Sequence, residues 1–147
     1  MSDNASDLVS GRAPKPVGLY PHAKRVGNLL FLSGIGPREP GTNAIPGNVT
    51  DDAGNVVRYD IAAQCHSVFR NVRAVLEDAG SGWEQIVDVT VFLTNMEEDF
   101  AAYNEVYAEY FSATRPTRTT VGISALPTPI AVELKVIAEI RERKQGS

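Results

Sequence analysis

Apolar positions recur with clear period in three stretches of the chain. Between Asp60 and Ala79, the residues Ile61, Cys65, Val68, Phe69, Val72, Val75, Leu76 and Ala79 fall on one helical face. Asp60 can cap that helix, and Gly80 and Gly82 stop it. From Ile86 to Leu93, Val87, Val89, Val91 and Leu93 alternate with Asp88, Thr90 and Phe92, which predicts a strand. A second helix is predicted over Glu98 to Phe111, with Phe100, Asn104, Tyr107 and Phe111 on one stripe beside Tyr103 and Tyr110.

Shorter signals complete the outline. Leu29-Leu30-Phe31-Leu32, followed by Ser33-Gly34, reads as a buried strand. Arg118 to Ser124 and Ile130 to Ile140 read as strands around Leu126-Pro127-Thr128-Pro129, which predicts an antiparallel hairpin. In the last strand Val132, Leu134, Val136 and Ala138 share one face, and Glu133, Lys135, Ile137 and Glu139 the other. Aligning Val121 and Ile123 with the apolar face turns Arg118, Thr120 and Gly122 away from it. Arg118 and Glu133 are therefore expected together on a helix-free face. Residues 36–58, rich in Gly, Pro, Asn and Asp, read as an extended loop. Residues 1–13 read as flexible. The order predicts an α+β fold with two helices on one face of a mixed sheet.

Composition narrows the class. A chain of 147 residues supports one domain, and 43% apolar with 22% charged residues is ordinary for a globular one. The net charge of −4 argues against nucleic acid or an anionic membrane as partner. The basic run Arg141-Glu142-Arg143-Lys144 is mixed in sign. A single cysteine, Cys65, excludes an intrachain disulfide and a multi-cysteine metal site. No long apolar run predicts a membrane span. The polar N-terminus Met1 to Asp7 lacks the pattern of a secretory signal, so a cytoplasmic location is expected. Without such a signal, the sequon Asn48-Val49-Thr50 carries almost no weight.

Several motifs are discounted. Gly34-Ile35-Gly36 is followed by Pro37 and no helix, which is wrong for a dinucleotide site. Asp51-Asp52-Ala53-Gly54-Asn55 lacks the remaining ligands of a calcium loop. His22, His66 and Cys65 have no metal-ligand spacing, and Cys65 reads as inert core. The tyrosines of the second helix read as core and rim. Neither a metal nor a cofactor is expected.

The stretch Arg115-Pro116-Thr117-Arg118-Thr119-Thr120-Val121-Gly122-Ile123-Ser124-Ala125-Leu126-Pro127, followed by Val132-Glu133-Leu134-Lys135-Val136-Ile137-Ala138, resembles the C-terminal signature of the RidA/YjgF family of deaminases. Gly18-Leu19-Tyr20, Gly27-Asn28 and Leu32-Ser33-Gly34 resemble its N-terminal strands, and Ala102 to Tyr107 fits its second helix. The extended loop resembles that of the 2-aminomuconate deaminase subgroup. The resemblance implies a chorismate-mutase-like α+β fold and a homotrimer whose three sheets form an internal barrel, with sites between subunits. It also implies a carboxylate-binding role for Arg118 and a water-positioning role for Glu133. Thr120 stands where many relatives carry cysteine, so thiol chemistry is not available there. Asn104, Tyr20 and Gly34 match positions beside the ligand.

The residue types suit that chemistry. A guanidinium offers a planar fork to a carboxylate, although Arg118 could equally pair a neighbouring acid. Glu133 could activate water if burial raises its pKa, or stand as an exposed carboxylate partnered by Lys135 or Arg118. Asn104 either touches ligand or caps a backbone group. Tyr20 either faces the pocket or packs as an ordinary amphipathic ring. The dianion 2-aminomuconate needs a second cation, for which Arg38 is the first candidate, ahead of His22, Lys24 and Arg25. The expected reaction converts 2-aminomuconate and water to 4-oxalocrotonate and ammonia. The alternatives are a general 2-imino acid or enamine deaminase, and a noncatalytic ligand-binding or chaperone-like trimer.

Overall fold

The computed structural model describes residues 5–141. Met1 to Asn4 and the charged tail after Arg141 lie outside the described residues. The elements are β1 (Ala5–Leu8), β2 (Ala23–Val26), β3 (Leu29–Leu32), β4 (Val49–Thr50), β5 (Val56–Arg58), α1 (Ile61–Asp78), β6 (Ile86–Leu93), α2 (Met96–Phe111), β7 (Thr117–Gly122) and β8 (Val132–Glu139). Both predicted helices form. Asp60 caps α1 by accepting from the Ala63 amide, and Asn95 caps α2 by accepting from Glu98.

A mixed sheet of six strands runs in the order β1-β2-β3-β8-β6-β7. Cys65, Val68, Phe69, Val72 and Leu76 of α1 and Tyr103, Val106 and Phe111 of α2 are buried with Val89, Val91, Val132, Leu134 and Val136. The two helices thus cover one sheet face, and the core lies between. Trp83 and Phe111 stack at 4.6 Å and close the end of that core.

Three expectations are corrected. First, residues 1–13 do not fray over their described part: β1 pairs antiparallel with β2, and Ser10 and Ala13 are buried. Ser10 Oγ donates to Asp78 at 2.6 Å. This segment is too short and polar to show a period, and its order comes from partners distant in sequence. Second, the extended loop is not wholly irregular, because β4 and β5 form a small hairpin.

Third, β7 and β8 are not a hairpin. β6 lies between them, parallel to β7 and antiparallel to β8. The connection crosses the end of β6, where Ile123 donates to the Leu93 carbonyl and Thr94 donates to that of Ala131. β6, more apolar than either, takes the place between them, where both of its edges are paired. The consequence is a change of face. Arg118 is registered with Val89 and Thr120 with Val91, both on the helix-covered side. Glu133 is registered with Phe92, on the other side. Within one chain, Arg118 and Glu133 point to opposite faces, and the expected common face is overturned.

Candidate active site

Glu133 projects from the centre of the sheet into a solvent-open cleft of about 470 Å³. One wall carries Tyr20, Gly34, Gly36 and Arg38, and the other Pro127, Thr128 and Ile130. The strand after β3 continues alongside β8 through the paired residues Ile35 and Leu134, which brings Gly34 against Glu133. A Cβ at Gly34 would stand 2.5 Å from Glu133 Oε2, so only glycine leaves the carboxylate where it is. Burial pushes the Glu133 carboxyl above its usual range, and no charged neighbour counters that rise. A carboxyl so placed keeps its proton to higher pH than an exposed one, which suits it to proton transfer.

Tyr20 lines this cleft, half-exposed, with its hydroxyl accepting from the Val17 amide at 3.3 Å. Arg38 stands at the junction with two adjoining clefts. Its guanidinium donates to Asn43 Oδ1 at 2.9 Å and to the Lys15 carbonyl at 2.8 Å. Both acceptors are neutral, so its charge is oriented without being neutralised. None of the other cations considered for a second anion lines the Glu133 cleft itself, although His22 lines both adjoining clefts. His22 is buried, with Nδ1 accepting from the Ser10 amide at 2.8 Å and Nε2 donating to the Pro14 carbonyl at 2.6 Å. Lys24 pairs with Asp7 at 3.4 Å, and Arg25 Nε donates to the Gly27 carbonyl, both on β2 away from the cleft.

A second polar centre lies on the opposite face. Arg118, on the edge strand β7, donates to Asn104 Oδ1 at 2.9 Å. Asn104 thus orients the guanidinium. The Arg118 guanidinium carbon lies 4.6 Å from the Tyr107 ring centre, 5.7 Å from Tyr103 and 5.9 Å from Phe100. This aromatic box holds a cation while no carboxylate among the described residues pairs its fork. The buried hydroxyls of Tyr103, Tyr107 and Thr120 find no partner among the described residues. Burial raises the Tyr103 and Tyr107 phenols, so both stay protonated. The tyrosines of α2 are core and rim as expected, with Tyr103 fully buried and Tyr107 and Tyr110 packed against the core, but the stripe alone did not show that Arg118 meets it. Its signal was Asn104, an amide interrupting that stripe.

Cys65 is fully buried, and burial pushes its thiol up to about 12, so it takes no part in polar chemistry. Among the described residues, no three His, Cys, Asp or Glu side chains gather where they could hold a metal. No helix among them is long and apolar enough to cross a membrane.

These features define a class of protein: a small α+β domain with a glycine-walled carboxylate on one sheet face and an aromatic-boxed guanidinium on the rim of the other. A family model described as Endoribonuclease L-PSP matches residues 10–140. A RutC family protein of Pyrococcus abyssi is 40% identical over 131 residues, covering 89% of this chain and 94% of the relative. The crystal structure of the YjgF gene product from E. coli superposes with a TM-score of 0.79 at 30% identity, covering 92% of this chain and 99% of that one. The crystal structure of E. coli TdcF with bound serine superposes equally, with a TM-score of 0.79 at 31% identity and coverages of 92% and 99%. The chain belongs to this family, the RidA/YjgF proteins.

Proposed function

We propose that this protein is a cofactor-independent hydrolytic deaminase of 2-imino acids and their enamine tautomers. It acts as a cytoplasmic homotrimer in which each site is shared by two copies. One observation carries the reading: a carboxylate-ready guanidinium and a water-ready carboxyl occupy opposite faces of one sheet. Arg118 sits on the edge strand and Glu133 opens from the helix-free face. Closing three sheets into a barrel sets the rim of one copy against the open face of the next, and only there do the two groups face one substrate.

The chemistry follows from their types. Arg118 grips the substrate carboxylate bidentately, with Tyr103 and Tyr107 flanking it. The protonated imine carbon is the electrophile. Glu133 removes a proton from water as the oxygen–carbon bond forms, giving a carbinolamine. The raised carboxyl then returns that proton to nitrogen; as the carbon–nitrogen bond breaks, the carbinol hydroxyl gives its proton to the Glu133 carboxylate, and the 2-oxo acid leaves with ammonia, which carries that last proton away as ammonium. Bound serine in TdcF supports an amino-acid-sized carboxylate as ligand class. The endoribonuclease description attached to the family model would require contact with a polyanion, which a net charge of −4 opposes.

A second, narrower reading is 2-aminomuconate, converted to 4-oxalocrotonate and ammonia in aromatic-compound catabolism. Arg38 favours it, being a cation in the same cleft as Glu133 with no acidic partner among the described residues. The deciding assay measures ammonia release from 2-iminobutyrate and from 2-aminomuconate with wild type, Arg118→Ala and Glu133→Gln. Both variants are expected to fall to the buffer rate. Ligand retention without ammonia from wild type would replace the enzyme with a binding protein. Arg38→Ala should raise KM for the dicarboxylate far more than for the monocarboxylate, and equal effects would remove Arg38 from the site.

A further inference from the structure

The face that α1 turns inward is not wholly apolar. Gln64, Ser67 and Asn71 are buried among its valines. Their spacing stacks them along one side of the helix. Buried polar groups are tolerated when satisfied, and all three spend their hydrogen bonds on loop segments. Asn71 Nδ2 donates to the carbonyls of Gly36 at 2.9 Å and Arg38 at 2.8 Å. Ser67 Oγ donates to the intervening Pro37 carbonyl at 2.7 Å. Gln64 reaches the other way. Its Oε1 accepts from the Ala131 amide at 2.8 Å, and its Nε2 donates to Asn48 Oδ1 at 2.9 Å. Asn48 in turn donates to the Pro129 carbonyl at 3.1 Å.

These two segments, 36–38 and 129–131, belong to the opposing walls of the Glu133 cleft. The walls are close: a Cβ at Gly36 would lie 2.7 Å from Ile130 Cδ1. None of the three polar residues hydrogen-bonds to Glu133 itself. We infer that Gln64, Ser67 and Asn71 form a positioning stripe that sets the width of the Glu133 cleft by anchoring both walls to one rigid helix. The inference rests on Glu133 being the water-activating group. A helix fixes the distance between its anchors by its own rise, which irregular segments cannot do for themselves.

Width matters because burial alone holds the Glu133 carboxyl above its usual range. The other charged or titratable groups near it are Arg38 and Tyr20 on the cleft lining and Lys135 on the same strand face. Lys135 directs its ammonium to the Leu32 carbonyl. A wider cleft admits water and lets the carboxyl relax toward an ordinary value. It also displaces the bound water, and a shift of about 1 Å can cost about a hundredfold in rate.

The test compares Asn71→Leu and Gln64→Leu with Val72→Ala, a fully buried neighbour on the same helix whose loss creates only a cavity. Ser67→Ala is the mildest member, for use if the leucine variants do not fold. Each is measured for Tm, for kcat and KM on a 2-imino acid across pH, and for the Glu133 titration by carboxyl-carbon NMR. At comparable loss of Tm, the stripe variants should lower kcat about tenfold or more. Their acid limb and their Glu133 titration should both move to lower pH, while Val72→Ala moves neither. Gln64→Glu, which keeps the acceptor for Ala131 but loses the donor to Asn48, should restore part of kcat. Equal kinetics and an unmoved Glu133 titration at matched Tm would reduce the stripe to structural filling. A wild type that releases no ammonia would sink the deaminase reading alone, because the carboxyl titration still decides the stripe.

Discussion

A methyl group at position 34 has nowhere to go while the Glu133 carboxylate keeps its place, since the two would stand 2.5 Å apart. Gly34 is not in the left-handed region, so Gly34→Ala carries no backbone penalty. We expect Gly34→Ala to fold with near-native Tm while kcat falls about tenfold or more through the displaced carboxylate. Near-native kcat would show that the glycine serves only the chain path. Glu133 itself should trade stability for chemistry. Its folded pKa is raised by burial, so as pH rises the unfolded chain releases the proton first and gains on the folded state. Glu133→Gln removes that disadvantage. Its Tm should match wild type at about pH 3, below the unfolded pKa of about 4.3, where Glu133 is protonated in both the folded and the unfolded state, and exceed it increasingly toward neutrality. A Tm difference independent of pH, read by calorimetry, would contradict the burial argument.

At the scale of elements, α1 serves two purposes on one face. Its valines and Phe69 build the core, and its buried amides hold the loops. The apolar period was legible from spacing alone, as was the Asp60 cap. Asp60→Ala should cost about 1 kcal/mol by losing the bond to the Ala63 amide, measurable by denaturant melts with kcat unchanged. The polar residues at core spacing were passed over, because a helical period says which residues are inward and not what they meet. Pairing of β7 and β8 was misread for a related reason. Two apolar runs around a turn predict a hairpin by local rules, whereas a third, more apolar strand can claim the place between them. That single change moved Arg118 and Thr120 to the helix side.

For the whole molecule, opposite faces turn a two-residue site into a question of assembly. If each site takes Arg118 from one copy and Glu133 from the next, two inactive variants should rescue each other. Arg118→Ala and Glu133→Gln chains, refolded together in equal amounts, should recover about a quarter of wild-type activity, because one interface in four pairs two intact groups. Recovery absent from verified mixed trimers would place both groups in a site of another design.

Local chemistry written along the chain determined the two helices with the Asp60 cap, the alternating strands, and the types of group available for carboxylate binding and proton transfer. These follow from spacing and side-chain chemistry, which need no partner to be read. Which strand lies between which, which face Arg118 occupies, and what encloses Glu133 were decided only in three dimensions. Strand order and burial are settled by competition among distant segments for the same core, and such competition leaves no mark at the residues it relocates.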